Sequence, residues 1–188
     1  MKPDIGFAQH VAAGETECGD VVRVLSGEQV TTVALADGAG HGPQAREAAE
    51  RFCAAIERHA AAGLEQLVRL ASDDMASTRG AAVAVLRIDS GAGRMQFAGV
   101  GNIEVQSVCR ERVRPISVPG VLGRRVRKVV CYEYAAHEGD LIVLYSDGIS
   151  RRMVVEDYAR LPVQLLAERV LAAHGLAHDD ATCIAVRL

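Results

Sequence analysis

Three acidic sequences could supply chemistry, because each adjoins an apolar run typical of a β-strand. They are Asp37-Gly38, Asp147-Gly148 and Asp179-Asp180. The first two follow the runs 32–36 and 141–146, and the third precedes the run 181–186. Carboxylates at strand ends can converge at one edge of a sheet, where they would repel one another unless cations neutralised them. Hard divalent cations with octahedral oxygen shells do so, and the pattern predicts a metal-centred hydrolase.

The first acidic sequence opens a glycine-rich stretch that also contains a histidine. Gly38, Gly40 and Gly42 alternate with other residues directly before Pro43. Glycine permits positive φ and close backbone approach, so a carbonyl here could turn towards an ion. Proline suits the first turn of a helix, whose free amides favour anions. The alternative is a strand-to-helix turn with no ligand, and His41 is either a general acid for a leaving alkoxide or a capping or solvent-exposed side chain.

The elements that must position these residues follow a definite order. Apolar residues at helical spacing predict one helix from Pro43 to about Gly63, a second from Leu64 to before Arg79, and a third that opens at Pro162. Runs with strand character predict strands over 3–12, 20–26, 29–37, 81–89, 94–99, 103–109, 128–135, 140–146 and 181–186. Hairpins interrupted by a helix pair imply an α+β fold with mostly antiparallel sheets and helices on their outer faces.

Length and composition are those of an ordinary globular domain. The 188 residues suffice for one domain, 49% of them are hydrophobic, and no low-complexity tract is present. The longest apolar run is far shorter than the roughly 18 residues that span a bilayer, and residues 1–4 do not resemble a signal peptide. We therefore expect a cytoplasmic protein with no membrane segment. Five scattered cysteines predict reduced thiols: Cys18, Cys53, Cys109, Cys131 and Cys183.

Charge is distributed unevenly along the chain. The net charge of −3 argues against general nucleic-acid binding, but residues 105–132 carry seven Arg or Lys and one acid, Glu111. Alternating arginines place like charges on one face of a predicted extended strand: Arg110, Arg112 and Arg114, then Arg125 and Arg127. Such a face is either solvated or a docking surface for an acidic or phosphorylated partner, since Arg binds phosphate bidentately.

Six motifs in one order carry a family resemblance. They are Cys18-Gly19-Asp20, the stretch 36–43, Arg79-Gly80-Ala81-Ala82, Gly99-Val100-Gly101-Asn102, Gly139-Asp140 with the stretch 145–148, and the stretch 178–182. Together they resemble the metal-dependent PPM (type 2C) protein phosphatases over nearly the whole chain, from about Ile5 to Leu188. The compact size and the Asp-Gly-x-Gly-x-Gly variant are most similar to the SpoIIE-like branch, especially its small stressosome phosphatases.

The resemblance implies an αββα sandwich and a metal centre. Two antiparallel sheets would pack face to face with helix pairs outside, and two Mn²⁺ or Mg²⁺ ions would lie between the sheet edges. The implied ligands are Asp20, Asp37, Gly38, Asp147, Asp179 and Asp180. In relatives the residue at Asp37 bridges both ions, and the carbonyl at Gly38 serves one of them. Asp147 and Asp179 would hold the other ion and, with Asp37, form the catalytic set.

Two of the implied ligands have less direct roles. Asp20 matches an early acidic residue that generally binds through water, and Asp180 would support the centre, unless Asp179 and Asp180 exchange roles. A phosphate-binding arginine of the eukaryotic branch has no counterpart in the stretch 15–18. The short stretch between Gly101 and Asp147 predicts a flap reduced to the loop 115–123, and an open site suited to a folded protein substrate.

The implied activity is that of a serine/threonine protein phosphatase over one domain, residues 1–188. Its substrates would be phosphorylated STAS-type stressosome or anti-sigma regulators in the cytoplasm, and we expect a monomer that binds neither nucleic acid nor membrane. Two alternatives remain open. One is a catalytically idle module that sequesters a partner through the arginine-rich face, and the other is a two-metal hydrolase of small phosphoesters.

Overall fold

A computed structural model describes residues 2–124, 126 and 128–188, which form nine strands and three α-helices. The strands are β1 (Asp4–His10), β2 (Asp20–Ser26), β3 (Val30–Gly38), β4 (Ala81–Asp89), β5 (Arg94–Val100), β6 (Glu104–Val108), β7 (Cys131–Ala135), β8 (Leu141–Tyr145) and β9 (Ala181–Arg187). The helices are α1 (Pro43–Arg58), α2 (Leu64–Asp74) and α3 (Val163–His174), and a single 3-10 turn covers Val155–Asp157.

The strands form two antiparallel sheets that pack face to face. One has the order β1-β9-β8-β6 and the other β2-β3-β4-β5-β7. Between them lies an apolar core to which both sheets contribute, including Leu35 and Leu86 from one sheet and Leu144 and Ile184 from the other. The predicted α+β sandwich of two antiparallel sheets is confirmed.

Helices cover the outer face of each sheet. The pair α1 and α2 packs on the five-stranded sheet through residues such as Phe52 and Leu67, whereas α3 and the 3-10 turn cover the four-stranded sheet. Strand β3 is buried on both faces: its Ala34 faces the helices and its Leu35 faces the second sheet. Since successive side chains of a strand point to opposite faces, this explains why β3 is apolar without interruption from Val33 to Ala36.

Two further observations concern the chain outside the core. The described helices include none that is long and apolar enough to cross a membrane. The predicted strand carrying alternating arginines is wrong for Arg110 to Arg114, because β6 ends at Val108 and no described strand pairs with residues 110–114. Burial still alternates along this unpaired segment, because Val113 is buried while Arg112 and Arg114 are exposed. Arg125 and Arg127 lie outside the described residues.

Candidate metal centre and active site

The acidic residues meet at one end of the sandwich. In the first sheet Asp20 begins β2 and stands opposite Asp37 near the end of β3 in the antiparallel register. In the second sheet Asp147 follows β8, and Asp179 precedes the neighbouring strand β9. The charges of Asp147 and Asp179 both act on the Asp37 carboxyl, so the two sheets bring their acids together across the sandwich.

These carboxylates line a cavity of about 810 Å³. Asp37, Asp147 and Asp179 all face it, together with Glu15, Asn102 and both His41 and His178. Asp20 and Asp180 lie behind this surface and are buried. The structure therefore brings together the three residues predicted as catalytic, and it places the two residues predicted as less direct behind them.

The electrostatics of the cavity favour binding of a cation. Burial, followed by the charges of Asp20, Asp147 and Asp179, raises the pKa of the Asp37 carboxyl to about 9. Partial burial and the charge of Asp147 likewise raise the pKa of Asp179. Nearby carboxylates disfavour one another's charged forms, and a divalent cation among them would reverse that effect.

Asp20 is a buried acid with one unused oxygen. Its Oδ2 accepts a hydrogen bond of 2.7 Å from the Ser146 hydroxyl, while its Oδ1 has no partner among the described residues. Burial raises the pKa of this carboxyl to about 6, against the lowering effect of the Ser146 hydrogen bond. A buried polar atom without a partner is costly, and a water molecule or a cation would satisfy it.

Asp180 acts as a clamp on the backbone. Its Oδ1 accepts from the Ala12 amide at 2.8 Å and its Oδ2 accepts from the Gly19 amide at 2.7 Å. These bonds hold both ends of the loop that joins β1 to β2. Because both carboxylate oxygens are already engaged, the geometry favours Asp179 over Asp180 as a direct ligand, and that assignment stays a prediction.

The glycine-rich stretch turns sharply between β3 and α1. Gly40 and Gly42 have positive φ, at 92° and 71°, and a Cβ at Gly38 would overlap the carbonyl oxygen of Ala45. The amide of Ala39 donates to the Gly80 carbonyl at 2.9 Å. Only glycine at position 38 allows the acidic end of β3 to lie this close to helix α1.

Two contributors to the site were assigned no role from the sequence. Asn102 donates from Nδ2 to Asp147 Oδ2 at 2.6 Å and so fixes that carboxylate. Glu15 Oε1 lies 2.6 Å from His41 Nδ1, and both side chains line the cavity. Asn102 lies within one of the six motifs, which was a usable signal. The pairing of Glu15 with His41 joins two loops and has no sequence signal.

The loop predicted to replace a larger flap forms one wall of the cavity. Pro119, Gly120 and Val121 line it, and bridges tie Val118 to Val100 and Leu122 to Ala81. The site is a concave cavity that is still open to solvent. Its volume lies within the range of small-molecule sites, about 300–1,000 Å³.

The donor set fits hard divalent cations. Carboxylate oxygens converge, the buried Asp20 Oδ1 has no partner among the described residues, and burial together with neighbouring acids raises the pKa of Asp37. Oxygen-rich sets of this kind suit Mg²⁺ and Mn²⁺. As they stand, no three His, Cys, Asp or Glu side chains in the described ranges are grouped closely enough to hold an ion.

Comparisons with known proteins agree with this geometry. The sequence matches the family described as stage II sporulation protein E (SpoIIE) over residues 27–188. A protein solved in work on the bacterial stressosome, as a modular system adapted to control secondary messenger signaling, is 33% identical with a TM-score of 0.93, and each chain is covered completely. No curated protein sequence matches this chain.

Two further solved structures share the fold at lower identity. RsbX in complex with magnesium is 20% identical, with a TM-score of 0.89, and the match covers 100% of this chain and 96% of that one. The catalytic domain of the serine threonine protein phosphatase PstP with two manganese ions is 15% identical, with a TM-score of 0.71 and coverage of 99% and 98%. The predicted resemblance is confirmed: the chain belongs to the stage II sporulation protein E family and has the fold of the metal-dependent PPM serine/threonine phosphatases.

Proposed function

We propose that this protein is a metal-dependent phosphatase that removes phosphoryl groups from serine or threonine residues of regulatory proteins. The observation that carries the proposal is the convergence of Asp37, Asp147 and Asp179 from two sheets into one cavity. Phosphate esters hydrolyse extremely slowly without a catalyst. A site of this kind must neutralise the charge of the phosphoryl group and position a nucleophile.

The residues that would hold two Mn²⁺ or Mg²⁺ ions are those at the strand ends. Asp37 and the Gly38 carbonyl come from β3, and Asp147 and Asp179 come from the other sheet, with Asp20 behind them. Bound ions of this type supply charge neutralisation and an activated water for attack on phosphorus. Asn102 holds Asp147 through its 2.6 Å hydrogen bond, which keeps that carboxylate oriented before any ion binds.

Glu15 and His41 serve the leaving group in this proposal. Glu15 Oε1 contacts His41 Nδ1 at 2.6 Å, so the imidazole is oriented and its Nε2 remains available. A serine or threonine alkoxide is a poor leaving group, and a proton delivered as the P–O bond breaks assists its departure. The contact with Glu15 supports proton donation as the role of His41 in this proposal.

The substrates we propose are phosphorylated STAS-domain proteins of the stressosome or antagonists of anti-sigma factors. Support comes from the full-length match to a protein from stressosome work and from the similarity to RsbX. We propose further that the protein acts in the cytoplasm as a monomer.

The test is phosphate release from a phosphorylated STAS-domain protein, with Mn²⁺ and with EDTA. We expect release only with the metal, and its loss in Asp37→Ala and Asp147→Ala. Asp73→Ala is the matched control, because Asp73 is an exposed carboxylate on α2. Full activity in both site variants would refute the proposal.

Hydrolysis of small phosphoesters is a second candidate, favoured by the cavity of about 810 Å³. It predicts a higher kcat/KM for p-nitrophenyl phosphate or metabolites than for the phosphoprotein in a side-by-side comparison. The idle binding module makes a third, distinct prediction: partner binding persists in EDTA while no phosphate is released with any metal.

A further inference from the structure

Several cations without ion-pair partners belong to the segment beside the catalytic cavity. Arg110, Arg112, Arg114, Arg124 and Lys128 are all exposed, and none forms an ion pair with a described residue. Arginines on the first two helices differ, since Arg46, Arg51, Arg58 and Arg69 each contact a carboxylate. Charges that are paired within the fold have little to offer a partner, whereas unpaired arginines retain all their donors.

Two of these arginines line a groove of about 790 Å³ along β6. Arg112 and Arg114 face it together with Ile116, which at 69% is the most exposed large hydrophobic side chain of the described chain. Glu104 and Glu156 also line the groove, and Glu104 lies 3.8 Å from Arg151. Exposed arginine beside an exposed apolar side chain is typical of protein-binding surfaces.

The groove and the catalytic cavity are lined by neighbouring stretches of the same two segments. Asn102 lines the cavity and Glu104, two residues further on, lines the groove; on the neighbouring segment Pro119 lines the cavity and Ile116 lines the groove. Three residues of extended chain span about 10 Å. A protein segment with its phosphorylated residue in the cavity would therefore reach Ile116, at the near end of the groove, within about three residues, and Arg112 and Arg114 lie further along the same groove.

We propose that this groove docks an acidic segment that lies close in sequence to the phosphorylated residue of the protein substrate. The proposal rests on the proposed function, and it adds the chemical character of the substrate. The carboxylates of the segment pair with Arg112 and Arg114, and an apolar side chain contacts Ile116. Docking by charge raises association rate and specificity and weakens with salt.

The test is the double charge reversal Arg112→Glu with Arg114→Glu. The matched control is Lys2→Glu with Arg169→Glu, which makes the same charge change at two exposed residues without ion pairs in the described structure. Lys2 precedes β1, the edge of the sheet opposite β6, and Arg169 lies on α3. We expect the KM for the phosphoprotein to rise about tenfold or more in the first variant only.

Turnover of p-nitrophenyl phosphate separates this inference from the proposed function. p-Nitrophenyl phosphate has no flanking peptide segment, so the kinetics of its hydrolysis should be unchanged in both variants. A wild-type protein that releases phosphate neither from p-nitrophenyl phosphate nor from the phosphoprotein would refute the phosphatase itself. An unchanged phosphoprotein KM in Arg112→Glu with Arg114→Glu, or an equal rise in the control, would overturn the docking groove alone.

The docking groove can also be tested by measuring peptide binding, which does not depend on catalytic turnover. Fluorescence anisotropy would compare a labelled phosphoserine peptide carrying about four glutamates, placed three to six residues away, with the same peptide carrying glutamines. We expect tighter binding of the glutamate peptide, reduced by salt and by the double reversal. Equal binding of both peptides would overturn the proposal. So would a dimer in sedimentation that the double reversal dissociates, because the groove would then belong to a second copy of the chain.

Discussion

Replacing Asp37 by asparagine should stabilise the metal-free protein at neutral pH while it abolishes activity. The substitution keeps the shape of the side chain and removes one charge from a group of carboxylates. Burial and the neighbouring charges raise the pKa of Asp37 from its ordinary 3.8 to about 9. Since the raised pKa is a property of the folded state, it links the stability of the fold to pH.

The sign of the effect follows from proton binding. Between these two pKa values the folded state holds a proton on Asp37 and the unfolded state does not, so the stability of the metal-free protein falls as pH rises from about 4 to about 9. Each pH unit in this range lowers the free energy of unfolding by at most about 1.4 kcal/mol, which gives an upper limit of about 4 kcal/mol for the loss of stability at pH 7. Partial solvent exposure and ionic screening reduce this loss, and we expect Asp37→Asn to raise the free energy of unfolding at pH 7 by about 1–3 kcal/mol.

The assay is urea unfolding of the wild type and of Asp37→Asn in EDTA, from pH 5 to pH 8. The difference in the free energy of unfolding should increase with pH in favour of the variant, and saturating Mn²⁺ should reverse the order by stabilising the wild type. Asp73→Asn, on the exposed face of α2, should show neither effect. A variant that is less stable than the wild type in EDTA at every pH would refute the electrostatic account of this site.

Three further predictions concern other parts of the site. Asp180→Ala leaves two backbone amides without their carboxylate partner, and urea unfolding should show a loss of about 2–4 kcal/mol. His41→Ala should lower turnover of the phosphoprotein about a hundredfold or more but change that of p-nitrophenyl phosphate little, because p-nitrophenolate leaves without a proton; equal losses would contradict the role of a proton donor. Gly38→Ala should prevent stable folding, since its Cβ would overlap helix α1, whereas Gly63→Ala, with open space around its Cβ, should fold normally by circular dichroism.

Much of the fold was predictable because its strands are regular. The apolar runs ending at Asp37 and Asp147 are central strands covered on both faces, so their limits are marked by the first charged residues. The sequence predicted that Asp37 and Asp147 would converge, because the ends of both strands were expected at one edge of the sheets. The residues Arg110 to Arg114 show where this reasoning failed, because alternation alone cannot reveal whether a neighbouring strand is present to pair with.

The parts of the site that escaped prediction depend on contacts between distant loops. Glu15 meets His41 across 26 positions, and Asn102 meets Asp147 across 45. Neither pair has a spacing that a local pattern would show. The clamp formed by Asp180 depends in the same way on the backbone of the β1–β2 loop, which is brought near only when β1 pairs with β9. The cavity wall formed by residues 119–121 depends on how the segment around Val118 and Leu122 docks on β4 and β5.

The most direct test of the metal centre is anomalous diffraction from crystals soaked in Mn²⁺. We predict two peaks about 4 Å apart, with Asp37 between them and with Asp147 and Asp179 bound to one of the two ions. The absence of any peak in the cavity, or peaks bound by other carboxylates while Asp37, Asp147 and Asp179 remain free, would contradict the account.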